Sequence, residues 1–282
     1  MLDLSRYSHF VDESSFNQKA RTLLEWGDDT LKEFANNLIR MPYLDDLKYY
    51  KEKELVYRLN NHGYRTDIKF EKGISGNVFL GDSNTAGIGL YYEDTWAFKV
   101  NEYVGGNYLN LAEGGEGFGS GFRKLLTYLE YFDIKNVFIY YPLHYRYEYW
   151  FGEKQHYYTI RPTQLDKYQP RVSKQHSKML AEERNSLYYS MSKLFAIVGL
   201  CQIKGIPVYN CGIELPNYGV YGGRAARDLT HAPVGVHDYI ADLMKKKYEN
   251  KIEVHKEISP EYFLRDLDTL EENKNKWTQT LF

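Results

Sequence analysis

A three-layer α/β/α fold, with helices on both faces of a mostly parallel sheet, is what this chain predicts. Two observations carry it. From Asn77 onward, short apolar runs alternate with longer amphipathic segments, the pattern of strands buried on both faces and the helices that cover them. The first run, Val78-Phe79-Leu80, opens into Gly81-Asp82-Ser83-Asn84-Thr85-Ala86-Gly87, a turn of small residues ahead of a helix. Such strand-to-helix turns are where α/β folds expose a nucleophile.

Taken in order, the elements are these. Residues 1–73 are charged, poor in glycine and helical in pattern, and are expected to form an N-terminal extension packed on the main domain. Asp28-Asp29-Thr30 opens a helix whose Leu31, Phe34, Ala35 and Leu38 share a face. A second helix is expected from about Leu44 to Leu59, stopped near Asn61-His62-Gly63. The main domain spans 74–250. Its strands are Val78-Leu80, Tyr108-Leu111, Asn136-Tyr141 (ended by Pro142) and Ile206-Asn210. Its helices are Glu93-Val104, Phe122-Phe132, Glu183-Ile203 and Gly235-Tyr248. In the long helix, Leu187, Met191, Leu194, Phe195 and Val198 lie on one face. Residues 145–180 are a Tyr-, Trp- and Arg-rich insertion without clear periodicity, and 251–282 are a charged tail with a short amphipathic helix at Pro260-Leu270.

Composition excludes several classes. A net charge of -2 provides no basic field for nucleic acid. No apolar run approaches a membrane span, and the mixed N-terminus lacks the form of a secretory signal, so the expectation is a cytoplasmic protein. Cys201 and Cys211 make neither a disulfide framework nor a zinc site. No cofactor is implied, and a metal reading of His231, His237 and Asp238 lacks any supporting pattern. The 28 tyrosines point to aromatic surfaces, for ligands or for other subunits.

The chemistry rests on two stretches. A serine hydroxyl needs a base to take its proton, and histidine suits because its pKa lies near neutrality. The histidine needs a carboxylate to fix its tautomer. Ser83 supplies the first group, and Asp228-Leu229-Thr230-His231 supplies the other two within one loop. Asn110-Leu111-Ala112-Glu113-Gly114-Gly115-Glu116-Gly117, after the second strand, offers glycine backbone N–H groups for an oxyanion. His237 is an alternative base or a structural histidine at a helix start. Asp82 either polarises the site or bonds its local backbone. Glu113 and Glu116 read as solvated loop charges.

Gly81-Asp82-Ser83, the Asn110 to Gly115 spacing and Asp228-x-x-His231 resemble the first, second and fifth blocks of the SGNH, or GDSL, hydrolase superfamily. Gly87-x-Gly89-Leu90 with Glu93-Asp94-Thr95-Trp96, and Ala226-Arg227 with Gly235-x-His237, extend the similarity to bacterial and phage members over residues 74–248. The resemblance implies a flavodoxin-like sheet and ester hydrolysis through an acyl-serine. It makes Ser83 the nucleophile, His231 the base and Asp228 its orienting acid, with backbone N–H groups of Ser83 and Gly115 as oxyanion donors. The superfamily usually adds an asparagine after the third strand. Here that stretch is Tyr141-Pro142-Leu143-His144-Tyr145-Arg146-Tyr147-Glu148, without asparagine. His144 is the nearest positional substitute and Arg146 the next, the latter favouring acidic substrates; otherwise Tyr145 or Tyr147 fills the space. The implied substrate is a small-molecule or carbohydrate ester, O-acetyl groups foremost. The insertion provides either an aromatic wall for it or a contact to a second copy or a virion partner. The competing expectation is a weak or inactive binding protein that keeps the fold, such as a phage virion component.

Overall fold

The computed structural model describes residues 19–142, 146–151, 156–160, 182–211 and 223–254. Its centre is a four-stranded, all-parallel sheet of β3 (Ser75–Leu80), β4 (Asn107–Asn110), β5 (Asp133–Tyr140) and β8 (Val208–Cys211), in the order β4-β3-β5-β8. Alternation along each strand divides the core. Val78, Leu80, Leu109, Val137, Ile139 and Val208 point to one face, against α5 (Phe118–Leu129) and α6 (Glu183–Lys204). Phe79, Tyr108, Phe138, Tyr140 and Tyr209 point to the other, against α4 (Trp96–Val104) and α7 (Val234–Glu249). This is the three-layer α/β/α sandwich the sequence predicts. The second face is an aromatic ladder, with Phe138 stacked between Phe79 and Tyr209 at ring separations of 5.1 and 5.3 Å.

The extension departs from the expected two helices. α1 (Leu31–Arg40) starts where expected, with Thr30 Oγ1 accepting from the Glu33 N–H. Its inner face is different, however: Asn37 is buried, whereas Leu31 and Ala35 are exposed. α2 (Asp45–Glu52) ends well before Leu59. Leu55, Tyr57 and Leu59 are buried with Arg58 exposed between the last two, a period of two. Accordingly Tyr57–Leu59 forms β2, antiparallel to β1 (Arg21–Leu23). The extension also shares the main core, since Tyr64 and Phe70 pack with α5 residues Leu125 and Tyr128.

Two further differences have local causes. α5 begins four residues before Phe122, inside a glycine-rich stretch that reads as turn. A Cβ at Gly119 would lie 2.5 Å from the Tyr189 hydroxyl and 3.1 Å from the Glu148 Cβ, so a side chain there would displace the tyrosine. The insertion carries the antiparallel pair β6 (Tyr147–Phe151) and β7 (His156–Ile160). On α6, Leu194, Ile197, Val198 and Cys201 face the core, while Phe195 is 43% exposed. The expected helix at Pro260-Leu270 lies outside the described residues. Among the described residues no helix is long and apolar enough to cross a membrane.

Candidate active site

The carboxyl ends of the parallel strands carry the residues singled out above. Ser83 follows β3 as the first residue of the short helix α3 (Ser83–Ala86). Asp82 caps that helix, its Oδ1 accepting from the Asn84 N–H at 3.0 Å. Gly81 is required for the tight turn, since a Cβ would meet Thr85 Oγ1 at 2.0 Å and the Tyr140 carbonyl at 3.0 Å. Gly87 ends the helix in the left-handed region. The buried Arg65 then holds the exit, donating to the carbonyls of Ala86 (3.2 Å), Gly87 and Leu90 (2.7 Å). Ser83 is therefore held at the end of an over-determined turn, 7% exposed. Among the described residues its hydroxyl has no hydrogen-bond partner, and none to His231.

Asp228 and His231 meet as expected. His231 Nδ1 hydrogen-bonds Asp228 Oδ2. A carboxylate only accepts, so Nδ1 carries the proton and Nε2 presents a lone pair when the ring is neutral. The carboxylate also accepts from Thr230 Oγ1 at 2.6 Å and from the N–H groups of Thr230 (3.2 Å) and His231 (3.3 Å). Burial alone raises the Asp228 pKa, but the bond and charge of His231 and the Thr230 bonds hold it below the ordinary value. Burial alone lowers the His231 pKa, but the bond and charge of Asp228, with the charges of Asp82 and Asp28, raise it above the ordinary histidine value. The two loops are tied together directly: the Ala232 N–H donates to Asn84 Oδ1 at 3.2 Å.

The loop after β4 is built from charge. Asn110 closes its start, accepting from the Ala112 N–H (3.1 Å) and donating to the Thr85 carbonyl (3.3 Å). Glu113 and Glu116 are not simply solvated. The buried Lys124 reaches both carboxylates at 2.6 Å, and the Leu111 carbonyl at 2.7 Å. Glu116 is 8% exposed, and burial pushes its carboxyl up to about 8 despite Lys124. Gly115, buried in this loop, has a positive φ of 82°, and its N–H has no acceptor among the described residues.

Arg146 enters the site region but is committed. Nη1 donates to Asp82 Oδ2 (2.7 Å) and to the Glu116 carbonyl (2.9 Å), bridging the first two loops, while Nε is buried without a partner among the described residues. Asp82 thus both bonds its local backbone and answers Arg146. Tyr147 packs on Tyr189, ring centroids 4.8 Å apart. His144 and Tyr145 lie outside the described residues. His237 is a structural histidine: it is 1% exposed, its Nδ1 accepts the Trp96 N–H at 3.1 Å, and burial lowers its pKa to about 3. With Nδ1 accepting, Nε2 of the neutral ring holds the proton, so no lone pair remains for a base. Among the described residues no group of three His, Cys, Asp or Glu is placed to hold a metal.

Sequence reasoning missed Asn84, Thr230 and the anchors contributed by the extension. The first two had a signal, since each is a polar side chain inside a stretch already read as chemical. No protein-family model matches the chain, and no curated protein is significantly similar to it.

Proposed function

We propose that this chain is a serine ester hydrolase of the SGNH type, working through an acyl-serine intermediate. The observation that carries the reading is the bonded Asp228–His231 pair, held against the Ser83 turn by the bond from Ala232 to Asn84. In the first half-reaction His231 Nε2 takes the Ser83 proton as Oγ attacks the ester carbonyl. The backbone N–H groups of Ser83 and Gly115 receive the oxyanion. His231 then gives its proton to the leaving alcohol. In the second half-reaction water, deprotonated by His231, attacks the acyl-serine, and the acid leaves with Ser83 restored.

Arg146 shapes the expected substrate. Its charge is answered by Asp82, which supports a neutral ester over an acidic one, and carbohydrate O-acetyl groups fit that class. The same pairing removes Arg146 as a free third oxyanion donor. One missing donor typically lowers turnover by ~10²–10³, so slow hydrolysis is expected. That commitment of Arg146 also favours a second reading, a weak or inactive binding protein, virion component included, that keeps the constellation without fast turnover.

The deciding experiment is intact-mass analysis after treatment with a fluorophosphonate probe. The hydrolase reading expects a single adduct on the wild-type protein and none on Ser83→Ala. A wild-type protein that stays unlabelled at high probe concentration leaves the binding-protein reading.

A further inference from the structure

The loop that presents Asp228 and His231 contains a strained residue. Leu229 has φ 59°, in the left-handed region that side chains other than glycine and asparagine rarely adopt. Such conformations persist only where surrounding contacts over-determine them. The orientation of the Asp228–Leu229 peptide sets that φ, and the structure fixes both ends of the peptide. The Leu229 N–H donates to the Ala226 carbonyl at 2.9 Å. The Asp228 carbonyl accepts from Asn37 Nδ2 at 3.2 Å, a contact buried within the protein.

Asn37 sits on α1 of the N-terminal extension, 191 residues away in sequence. It is the only buried residue of that helix, 4% exposed. A second set of contacts runs parallel to it. Arg227, next to the acid, is 2% exposed and pairs with the fully buried Asp29, through Nε to Oδ1 at 2.9 Å and Nη2 to Oδ2 at 2.7 Å. It also donates to the Leu24 carbonyl at 2.7 Å. Tyr57 donates to Asp29 and accepts from the Gly89 N–H at 2.9 Å. The Gly89 carbonyl in turn accepts the Arg227 N–H at 2.8 Å. The extension therefore grips the acid loop from two sides, and the second grip includes the segment that leaves the Ser83 turn.

We propose that Asn37 is a positioning residue for the Asp228–His231 pair: its amide locks the Asp228–Leu229 peptide in the orientation that aims the histidine at Ser83. The proposal rests on the serine-hydrolase reading for its catalytic meaning, and on hydrogen bonds alone for its geometry. The extension is then part of the active site rather than an appendage to it.

The test uses the full chain and four proteins: wild type, Asn37→Ala, Leu229→Gly and the double variant. One readout is the second-order rate of labelling by a fluorophosphonate. The other is the His231 imidazole titration by NMR, which reads the pair without any catalysis; the groups whose charge acts on that ring include Asp228, Asp82 and Asp28, and the buried His237 also interacts with it. Asn37→Ala is expected to slow labelling by roughly 10-fold to 100-fold, the scale of a small misplacement of a catalytic group, and to move the His231 midpoint toward that of a free histidine. Glycine adopts the left-handed region without strain, so in the Leu229→Gly background the loss of Asn37 should cost only a few-fold. An unchanged labelling rate and midpoint in Asn37→Ala, with only a lower melting temperature, would overturn the proposal. An equal loss in both backgrounds would overturn the peptide lock. If wild type does not label at all, the hydrolase reading fails and the imidazole titration still decides the positioning.

Discussion

Replacing Gly89 by alanine perturbs the candidate acid without touching its chemistry. Gly89 has φ +81°, and a Cβ there would lie 2.9 Å from Asp228 Oδ1 and 2.9 Å from the Ala226 Cβ. Its backbone cannot easily move aside, because its N–H is bonded to Tyr57 and its carbonyl to the Arg227 N–H. The left-handed backbone costs alanine about 1–2 kcal/mol. Ordinary contact begins near 3.4 Å, so the carboxylate must also retreat by about half an ångström. Half an ångström at the acid is carried to the histidine through their shared bond, and misplacements of about 1 Å cost on the order of 10²-fold in rate. The expected result is a labelling rate lowered by roughly 10-fold, with a melting temperature lower by a few degrees. Stopped-flow labelling and a thermal melt on the same samples measure both. A melting temperature that drops while labelling stays within twofold of wild type would refute the coupling of Gly89 to the acid.

Three further outcomes follow from the same geometry. The raised His231 pKa means that the base is neutral only at higher pH than an ordinary histidine, so the labelling rate should rise with a midpoint above about 6.5 and Asp228→Asn should lower both midpoint and plateau; a wild-type midpoint at or below 6.5 contradicts this. In stability terms the raised His231 contributes fully below about 6.5 and is lost as pH rises through its folded value, whereas the lowered Asp228 contributes above about 3.9 and is lost as pH falls through its own. Glu116, raised to about 8, holds a proton that the unfolded chain has released, so its contribution declines between about pH 4.3 and 8; Glu116→Gln should flatten the stability curve over that interval, and a parallel curve would show the carboxyl is not the source. His237→Ala should lower the melting temperature, because the Trp96 N–H loses its acceptor, yet leave labelling near wild type; loss of labelling in a folded His237→Ala protein would reopen the choice of base.

The parts of the fold legible in the sequence are those written by hydrophobic period. Val78-Phe79-Leu80 and Val137-Phe138-Ile139 are apolar at every position, as strands covered on both faces are. The extension was harder. β1 and β2 are three residues each and pair with one another, too short for their alternation to stand out, and the charged residues around them read as helix. The contacts of the candidate site were legible where the partners are close in sequence, as in Asp228 and His231. They were illegible where a polar residue finds its partner across the fold. Glu116 and Lys124 look like surface residues until the helix carrying the lysine packs beneath the loop, and Asn37 looks like one more polar position on a polar helix.

The ion pair of Asp29 and Arg227 joins residues 198 positions apart. Bringing two such distant points of a chain together is a slow event, because the closure entropy of the intervening chain must be met before the contact returns anything. Asp29 meets Tyr57 early but waits for nearly the whole of the described chain before it finds Arg227. During that interval Asp228 and His231 have no fixed place relative to Ser83. A chain interrupted before residue 227 would keep Ser83 and its turn but lack Arg227, Asp228 and His231.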